Sequence, residues 1–269
     1  MIEKYAAFTT DPAGGNPAGV VLDASALDDA EMLKIAAGLG YSETAFVTER
    51  DGDRYRVRYF SPLAEVPFCG HATIATAVAL GPGAHLFVTN AGEVPVTVDS
   101  SGTATLISVP PSVAPLADAD LAALLDILGW PAGDLDPALP PRVAYAGARH
   151  PILAVTTRER LAGLDYDMPA LKALMLERDW TTVQLVFRAG PSTFDVRDPF
   201  PVGGVFEDPA TGAAAAALGG YLRELGLVGD DATLHLRQGD DLGRPSRITV
   251  RLVPGEPGVR VSGEAVPIA

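Results

Sequence analysis

The stretch CGHATIA, residues 69–75, returns in altered form as DPATGAA, residues 208–214. Each copy places a turn with a glycine directly before a run of small residues that predicts a helix. Arg58 precedes the first copy and Arg197 the second at a spacing of 139 residues, and the glycines of the two copies are 142 residues apart. Two long copies predict two related domains rather than a solenoid, which needs three or more short repeats.

Short strand-like runs make up most of the chain outside these two repeated stretches. The sequence YRVRYF at residues 55–60 alternates cleanly, as a half-buried antiparallel strand does. Helical patterns are fewer and lie at residues 28–37, 71–80, 118–128, 168–180 and 211–225. Because strands outnumber helices and the two do not alternate regularly, the pattern favours an α+β fold with mostly antiparallel sheets over a doubly wound parallel sheet.

The predicted division separates an N-terminal half, residues 1–112, from a C-terminal half, residues 113–269. Length alone agrees, since 269 residues at roughly 150 residues per domain give about two domains. The proline-rich stretch at residues 109–115 is the natural linker between the halves. The last strand of the chain is free to pack on the N-terminal half.

Charge and composition exclude several classes of protein. The net charge is −14, from 34 acidic and 20 basic side chains, which argues against nucleic acid and anionic membrane surfaces as partners. A hydrophobic content of 48% is that of an ordinary globular protein and excludes a disordered chain. The sequence shows neither an apolar run of 18 residues nor a secretory signal, so we expect a cytoplasmic protein.

Cys69 is the single cysteine. One thiol forms neither an intramolecular disulfide nor a cysteine-based zinc cage, and it excludes a mechanism with two intramolecular thiols as paired acid and base. The four histidines show no metal-ligand spacing, and the chain has no phosphate-loop or dinucleotide-binding motif. We therefore expect no metal site.

Three side chains are candidates for acid–base chemistry, each with a simpler alternative. Glu43 opens an apolar strand, where burial would raise its pKa toward neutrality, although a strand-edge glutamate in solvent fits the same pattern. His71 opens a helix and could relay a proton or simply cap the helix. Asp208 precedes a proline and a helix, which is typical of an N-cap, yet the internal repeat places it opposite the turn at Cys69.

The starts of the two repeated helices, at Gly70 and Gly212, offer unpaired backbone N–H groups at the positive end of a helix dipole. Two such starts facing one cleft would hold a small carboxylate, despite the acidic charge of the whole chain.

The glycine-rich loop at residues 239–246 has two interpretations as well. It is a hairpin connection, or it contacts the substrate through its backbone or through Arg244.

Five motifs, in order, carry a resemblance that covers nearly the whole chain. They are GNPAGVV at 15–21, SETAF at 42–46, CGHAT at 69–73, EDPATG at 207–212, and QG at 238–239 with GRPS at 243–246. Together they resemble the phenazine-biosynthesis PhzF-like family of isomerases, which has the diaminopimelate epimerase-like fold. The resemblance implies two pseudo-symmetric domains, each a mostly antiparallel, barrel-like sheet wrapped around a central helix, with a cofactor-free active site in the cleft between them and commonly a homodimer.

The resemblance also assigns roles to residues. Glu43 is implied as the general acid/base, with His71 and Asp208 as its partners around the substrate. The implied substrate contacts are Asn16, Ser42, Cys69, Gly70, Ala72, Thr73, Thr211, Gly212, Ala213, Gly243 and Arg244. Ala213 departs from the family, which commonly has a serine there whose hydroxyl contacts the substrate. The loss of that hydroxyl puts the phenazine-precursor substrate in doubt.

The sequence thus predicts a cofactor-independent isomerase that moves a proton between carbon atoms of a small anionic substrate. Two alternatives stay open. One is a non-catalytic protein that binds a small molecule and retains the fold, which the alanine run from Ala213 to Ala217 favours. The other is an epimerase or racemase that depends on Cys69.

Overall fold

The computed structural model describes residues 1–269, in which the chain folds into two units. Unit 1 comprises Met1–Ile107 and Val261–Ala269, and unit 2 comprises Ser108–Arg260. The first boundary lies five residues before the division expected from the sequence, and the end of the chain returns to unit 1. The expected linker is in part regular structure, because Ser112–Pro115 forms a strand of unit 2.

Unit 1 contains nine complete strands and two helices. Its strands are β1 (Glu3–Ala7), β2 (Asn16–Val21), β3 (Glu43–Asp51), β4 (Arg54–Phe60), β5 (Glu65–Val66), β6 (Gly83–Thr89), β7 (Gly92–Val98), β8 (Ala104–Ile107) and β18 (Ala265–Pro267), and its helices are α1 (Asp29–Leu39) and α2 (Gly70–Leu80). Strand β17 (Arg260–Gly263) begins at the last residue of unit 2 and continues into unit 1.

Unit 2 contains the remaining elements. Its strands are β9 (Ser112–Pro115), β10 (Arg142–Tyr145), β11 (Arg149–Val155), β12 (Gln184–Arg188), β13 (Thr193–Pro199), β14 (Glu207–Asp208), β15 (Thr233–Gln238) and β16 (Ser246–Arg251). Its helices are α3 (Asp118–Leu128), α4 (Arg158–Ala162), α5 (Met168–Arg178) and α6 (Gly212–Glu224), with 3-10 turns at Ala132–Asp134 and Pro201–Gly203. None of the helices is both long and apolar enough to span a membrane.

The internal repeat seen in the sequence is a repeat of strand pairing. From β1 through β2, β3, β4 and β6 to β7, the pairings are antiparallel, parallel, antiparallel, parallel and antiparallel. From β10 through β11, β12, β13 and β15 to β16, the same series returns. The short strands β5 and β14 pair with β4 and β13 at equivalent places. The predicted α+β fold with duplicated halves is therefore confirmed.

In unit 1 the sheet wraps around α2. This helix contacts β1, β2, β3, β7, β8 and β18, and its residues from His71 to Ala77 are all buried. A helix that is apolar on all sides must lie inside a core, and alanines at 72, 75 and 77 let the strands approach closely. The Thr73 hydroxyl donates to the Cys69 carbonyl at 2.7 Å and lies 2.7 Å from the Tyr59 hydroxyl, so its polar atom is satisfied inside the core.

Helix α6 has the corresponding place in unit 2, where it contacts β9, β10, β11 and β16. Ten of its thirteen residues are buried. Outside this sheet, α3 and α5 cover β11 and β12 with an apolar layer that includes Leu124, Trp130, Leu153 and Met175. The expectation of a central helix in each half is confirmed.

Helix α1 has a local capping signal at each end. Asp28 accepts a hydrogen bond from the Glu31 N–H at 2.8 Å, and the Glu31 carboxylate accepts one from the Asp28 N–H at 3.0 Å, which is a capping box. The sequence predicted a helix over residues 28–37. Instead α1 runs to Leu39 and ends at Gly40, whose φ of 69° is the left-handed conformation that closes a helix at low cost in glycine.

Replacement of two helical glycines by alanine should have opposite effects on stability. A Cβ on Gly220 of α6 would lie 2.3 Å from the Pro111 Cβ, whereas a Cβ on Gly38 of α1 would meet nothing within 4 Å. We expect Gly220→Ala to lower the free energy of unfolding by about 1–2 kcal/mol, because overpacking against a rigid ring outweighs the gain in helix propensity. Gly38→Ala is the matched control and should raise it by about 0.5–1 kcal/mol. Chemical denaturation of both variants checks this, and a stabilised Gly220→Ala would contradict the close packing of α6.

Candidate active site

Glu43 is the first residue of β3, and β2 pairs with β3 in parallel so that Ala18 is its register partner. Its side chain is only 13% exposed. The Oε2 atom lies 3.5 Å from the Cys69 Sγ and 3.6 Å from the His71 Nε2. The carboxylate is therefore half-enclosed beside a thiol and an imidazole, which contradicts the alternative of a solvated glutamate at a strand edge.

His71 is the second residue of α2 and is fully enclosed by neighbouring side chains. The Asn16 Nδ2 lies 3.2 Å from its Nδ1, and the Ser42 Oγ lies 3.3 Å from its Nε2. The Cys69 Sγ is 3.3 Å from Nδ1. Four other residues that the sequence assigned to the site thus meet around the His71 imidazole, namely Asn16, Ser42, Glu43 and Cys69.

Burial lowers the pKa of the His71 imidazole, and two weaker influences oppose the shift. These are the negative charge of Glu43 and a hydrogen bond to the Pro17 backbone carbonyl. The imidazole is consequently neutral at neutral pH, with one nitrogen that donates and one that accepts. In that state it can pass a proton to or from Glu43 or a bound substrate.

The remaining first-half residues of the sequence prediction fall into two groups. Gly70 begins α2 and supplies a backbone N–H of the first helical turn, after Cys69 in an extended conformation. Ala72 and Thr73 are completely buried in the core of unit 1. The Thr73 hydroxyl is engaged inside the fold, so the structure does not bring the side chain of either residue to the cluster around His71.

In unit 2, Asp208 ends the short strand β14 and is 5% exposed. The Thr211 hydroxyl donates to its Oδ2 at 2.6 Å. Gln238, the last residue of β15, donates to the Asp208 backbone carbonyl at 2.8 Å and accepts from the Thr211 N–H at 3.0 Å. The Gln238 amide thereby fixes the whole turn between Asp208 and α6. The sequence quoted Gln238 in a motif but gave it no place in the site.

The loop after Gln238 folds back onto this turn. Gly239 has φ of 75°, and a Cβ there would lie 2.3 Å from the Arg244 carbonyl oxygen and 2.9 Å from the Pro209 carbonyl oxygen. The Arg244 N–H donates to the Gly239 carbonyl at 2.9 Å. The predicted hairpin connection is therefore present, with Gly243 in the turn, and it packs next to the residue that follows Asp208.

A buried ion pair holds β14 in place. The Arg197 guanidinium on β13 donates to both carboxylate oxygens of Glu207, with Nε–Oε1 at 3.0 Å, and both side chains are under 10% exposed. Its Nη1 also donates to the Ala162 carbonyl at 2.9 Å. In unit 1 the repeat-related Arg58 makes the same bidentate contact with Glu65 of β5. Its Nε donates to Oε1 at 2.7 Å and its Nη2 donates to Oε2 at 2.8 Å. Each half thus anchors the short strand before its central helix with an arginine.

Behind Asp208 lies a chain of buried polar groups that the sequence did not reveal. Asp198 of β13 is the register partner of Asp208. The Thr182 hydroxyl donates to the Asp198 Oδ1 at 2.8 Å and lies 2.8 Å from the His150 Nδ1. Burial raises the pKa of Asp198, with smaller contributions from the charges of Asp208 and Glu207, and burial lowers the pKa of His150 to about 3. Burial therefore favours the neutral form of both groups.

Glu43, Cys69 and His71 also form the group of side chains that could hold a metal ion. Their ligand atoms lie within 4.8 Å of one another. The sequence predicted no metal because the histidines lack ligand spacing along the chain. Ligands that come from separate elements need no such spacing, and the absence of a metal stays a prediction.

Comparison with known sequences shows which family the chain belongs to. The family model described as phenazine biosynthesis-like protein matches residues 5–269. The chain belongs to this family. An uncharacterized isomerase YddE of Escherichia coli K12 is 35% identical over 97% of this chain and 93% of its own. The trans-2,3-dihydro-3-hydroxyanthranilate isomerase of Pseudomonas fluorescens is 30% identical over 89% of this chain and 86% of its own.

Solved structures give the same result for the fold. A Bacillus anthracis phenazine biosynthesis protein of the PhzF family matches 100% of this chain and 96% of its own, with TM-score 0.88 and 26% identity. A probable proline racemase from Agrobacterium radiobacter, at 13% identity and TM-score 0.68, covers 100% of this chain and 91% of its own and shares the fold alone. The resemblance stated from the sequence is confirmed, and the chain is an enzyme of the isomerase class.

The burial of neutral His150 predicts how stability depends on pH. Its folded pKa is depressed, so the unfolded chain takes up the proton first as the pH falls below the ordinary value of about 6.5. The contribution of neutral His150 to the free energy of unfolding is therefore fully present above that pH. It decreases as the pH falls, by up to about 1.4 kcal/mol per pH unit.

We therefore expect the wild-type protein to lose its stability advantage over His150→Gln as the pH falls from 7 to 4, because glutamine does not titrate. Urea unfolding of both proteins at several pH values measures the difference. A constant difference across that range would show that His150 is not buried in its neutral form.

Proposed function

We propose that this protein is a cofactor-independent isomerase of a small carboxylate, with Glu43 as the residue that takes a proton from one carbon and returns it at another. The observation that carries the proposal is the placement of the Glu43 carboxylate, 3.6 Å from the neutral His71 imidazole at the start of α2. A half-buried carboxylate beside a neutral imidazole is suited to reversible proton transfer at neutral pH.

The helix start supports the second requirement of the reaction, which is stabilisation of negative charge. Removal of a proton next to a carbonyl or carboxyl group leaves an anion on the substrate. The N–H groups of Gly70 and His71 begin α2 at the positive end of its dipole, and the start of α6 at Gly212 has the same character. We propose that the N–H groups at the start of α2 bind the carboxylate and the developing charge.

Asp208 is proposed as a further catalytic residue. Its carboxylate is held by the Thr211 hydroxyl at 2.6 Å, and Gln238 fixes the backbone around it. A carboxylate that is oriented this firmly can bind a substrate hydroxyl or amine at a defined position. Asp208 would then orient the substrate or share the proton.

The relative from Pseudomonas fluorescens suggests the first substrate to test. It is named a trans-2,3-dihydro-3-hydroxyanthranilate isomerase and is 30% identical to this chain. Ala213, near the start of α6, stands where the family commonly has a serine that contacts the substrate. We therefore propose a related cyclic or unsaturated carboxylate that does not need this hydroxyl.

Replacement of the proposed base provides the main test. We expect Glu43→Gln to abolish exchange of carbon-bound hydrogen with deuterium from solvent, because the amide keeps the shape of the side chain but cannot accept the proton. The measurement is mass spectrometry of candidate carboxylates after incubation in D2O. Glu49→Gln is the matched control, since Glu49 lies exposed on the same strand, and it should retain full exchange.

The outcomes separate the candidate functions. Full exchange by Glu43→Gln would overturn Glu43 as the base. Exchange that survives Glu43→Gln and disappears in Cys69→Ser would favour the thiol-dependent epimerase, which the 3.5 Å contact between the Cys69 Sγ and the Glu43 Oε2 makes a specific alternative. Binding of a carboxylate, seen as a thermal shift, without any exchange would identify a binding protein.

Ala213→Ser tests the substrate assignment. If the family hydroxyl is what this chain lacks, the serine should raise kcat/KM for trans-2,3-dihydro-3-hydroxyanthranilate by about three- to tenfold, which is the usual value of one hydrogen bond. Steady-state kinetics of wild-type and variant proteins provide the measurement. An unchanged or lower kcat/KM would show that position 213 does not limit the use of this substrate.

A further inference from the structure

We propose that Gln184 and Asp198 hold at least one permanently bound water molecule in the core of unit 2, at the place that corresponds to Glu43 in unit 1. The site shares no residue with the cluster around His71, and it does not depend on which reaction the protein catalyses. It rests on the position of the two side chains in the sheet and on the polar atoms that no protein group pairs with.

The internal repeat places Gln184 where unit 1 has its proposed base. Glu43 is the first residue of β3, and Gln184 is the first residue of β12. Each has a register partner on a parallel strand, which is Ala18 for Glu43 and Ile152 for Gln184. Glutamine has the shape of glutamate, but its amide does not exchange a proton near neutral pH. Unit 2 therefore keeps a polar side chain at this place without the acid–base chemistry.

Gln184 and Asp198 are neighbours on adjacent strands. Strands β12 and β13 are antiparallel, with Leu185 opposite Arg197. A hydrogen bond of 3.3 Å from the Val183 N–H to β13 continues this pairing on the other side of Gln184. Gln184 is therefore directly opposite Asp198, and the Cβ atoms of such a pair lie about 4.5–5.5 Å apart on the same face of the sheet.

This face is the inner one. Leu185 belongs to the apolar layer beneath α3 and α5, outside the sheet. Because successive side chains of a strand point to opposite faces, Gln184 and its partner Asp198 point inward. Both side chains are completely buried, with 0% exposure. Bulk solvent therefore does not reach either of them.

The two side chains keep polar atoms without a partner in the protein. The Asp198 Oδ1 accepts a hydrogen bond from the Thr182 hydroxyl at 2.8 Å, but the Oδ2 atom is unpaired. Neither the oxygen nor the nitrogen of the Gln184 amide has a partner. Buried polar groups in native proteins are almost always hydrogen-bonded, since an unpaired group loses its hydration without compensation. A water molecule that bridges the two side chains supplies the missing bonds.

A neutral molecule fits this site better than an ion. Burial raises the pKa of Asp198 and favours its neutral form, which carries a proton that it can donate. The Gln184 amide adds both donors and an acceptor. A water molecule can accept from one side chain and donate to the other. A metal cation accepts no hydrogen bond and would require an ionised Asp198 in the core, which is costly.

A crystal structure of the wild-type protein, at a resolution that shows ordered solvent, provides the direct test. We expect a water peak about 2.7–3.2 Å from the Asp198 Oδ2 and from one atom of the Gln184 amide. The lack of a peak within reach of both side chains would overturn the proposal. A peak with the contacts of a coordinated metal ion would overturn it as well.

Oxygen-17 magnetic relaxation dispersion provides a second test, because it counts the long-lived internal waters in solution. Gln184→Met keeps the length of the side chain but removes the amide, so it should lower this number by at least one. Leu185→Met is the matched control. Leu185 is equally buried on the same strand but packs in the apolar layer, so this variant should leave the number unchanged.

Urea unfolding confirms that both variants are folded. An equal number of long-lived waters in the wild type and in folded Gln184→Met would overturn the proposal. If Gln184→Met does not fold, the crystal structure of the wild type decides the question alone.

Discussion

Ala72, Ala75 and Ala77 leave α2 thin enough for strands of the first sheet to contact it from several sides. Close packing of strands against a helix requires small side chains, since protein interiors have little spare volume. The same constraint acts on α6, where Gly220 lies against Pro111. Because each sheet closes around its helix, the start of that helix is held in one place. The candidate catalytic groups at Cys69, His71 and Asp208 all lie at or just before such a start.

The two halves use this arrangement differently. In unit 1 the helix start carries a thiol and an imidazole that contact the Glu43 carboxylate, which arrives on β3. In unit 2 the equivalent turn carries Asp208, which Gln238 and Thr211 hold by hydrogen bonds. Duplication thus supplied one scaffold twice, and unlike residues at the two turns gave unlike chemistry. The arginines of β4 and β13 that hold β5 and β14 are a part of the scaffold that both halves share.

The polar interior of unit 2 has a cost that the fold must offset. Burial favours the neutral forms of His150 and Asp198, and the Thr182 hydroxyl lies between them. Groups of this kind destabilise a core unless they are paired, and they shift their pKa values rather than stay charged. Asp198 is the register partner of Asp208, so this buried group lies directly beside the candidate site in unit 2. In unit 1 the buried, neutral His71 is likewise part of the packed interior, and it is also a candidate catalytic group.

The sequence by itself determined the family, the duplicated α+β fold and the identity of Glu43, His71 and Asp208 as candidates, because small-residue helices and glycine turns leave local signals. Only the tertiary structure decided which candidates meet. Cys69 reaches Glu43 across 26 residues, and Gln238 reaches Asp208 across 30. Thr73 was expected at the substrate but is turned into the core. These outcomes depend on strand register and on the closure of each sheet around its helix, which no short stretch of sequence encodes.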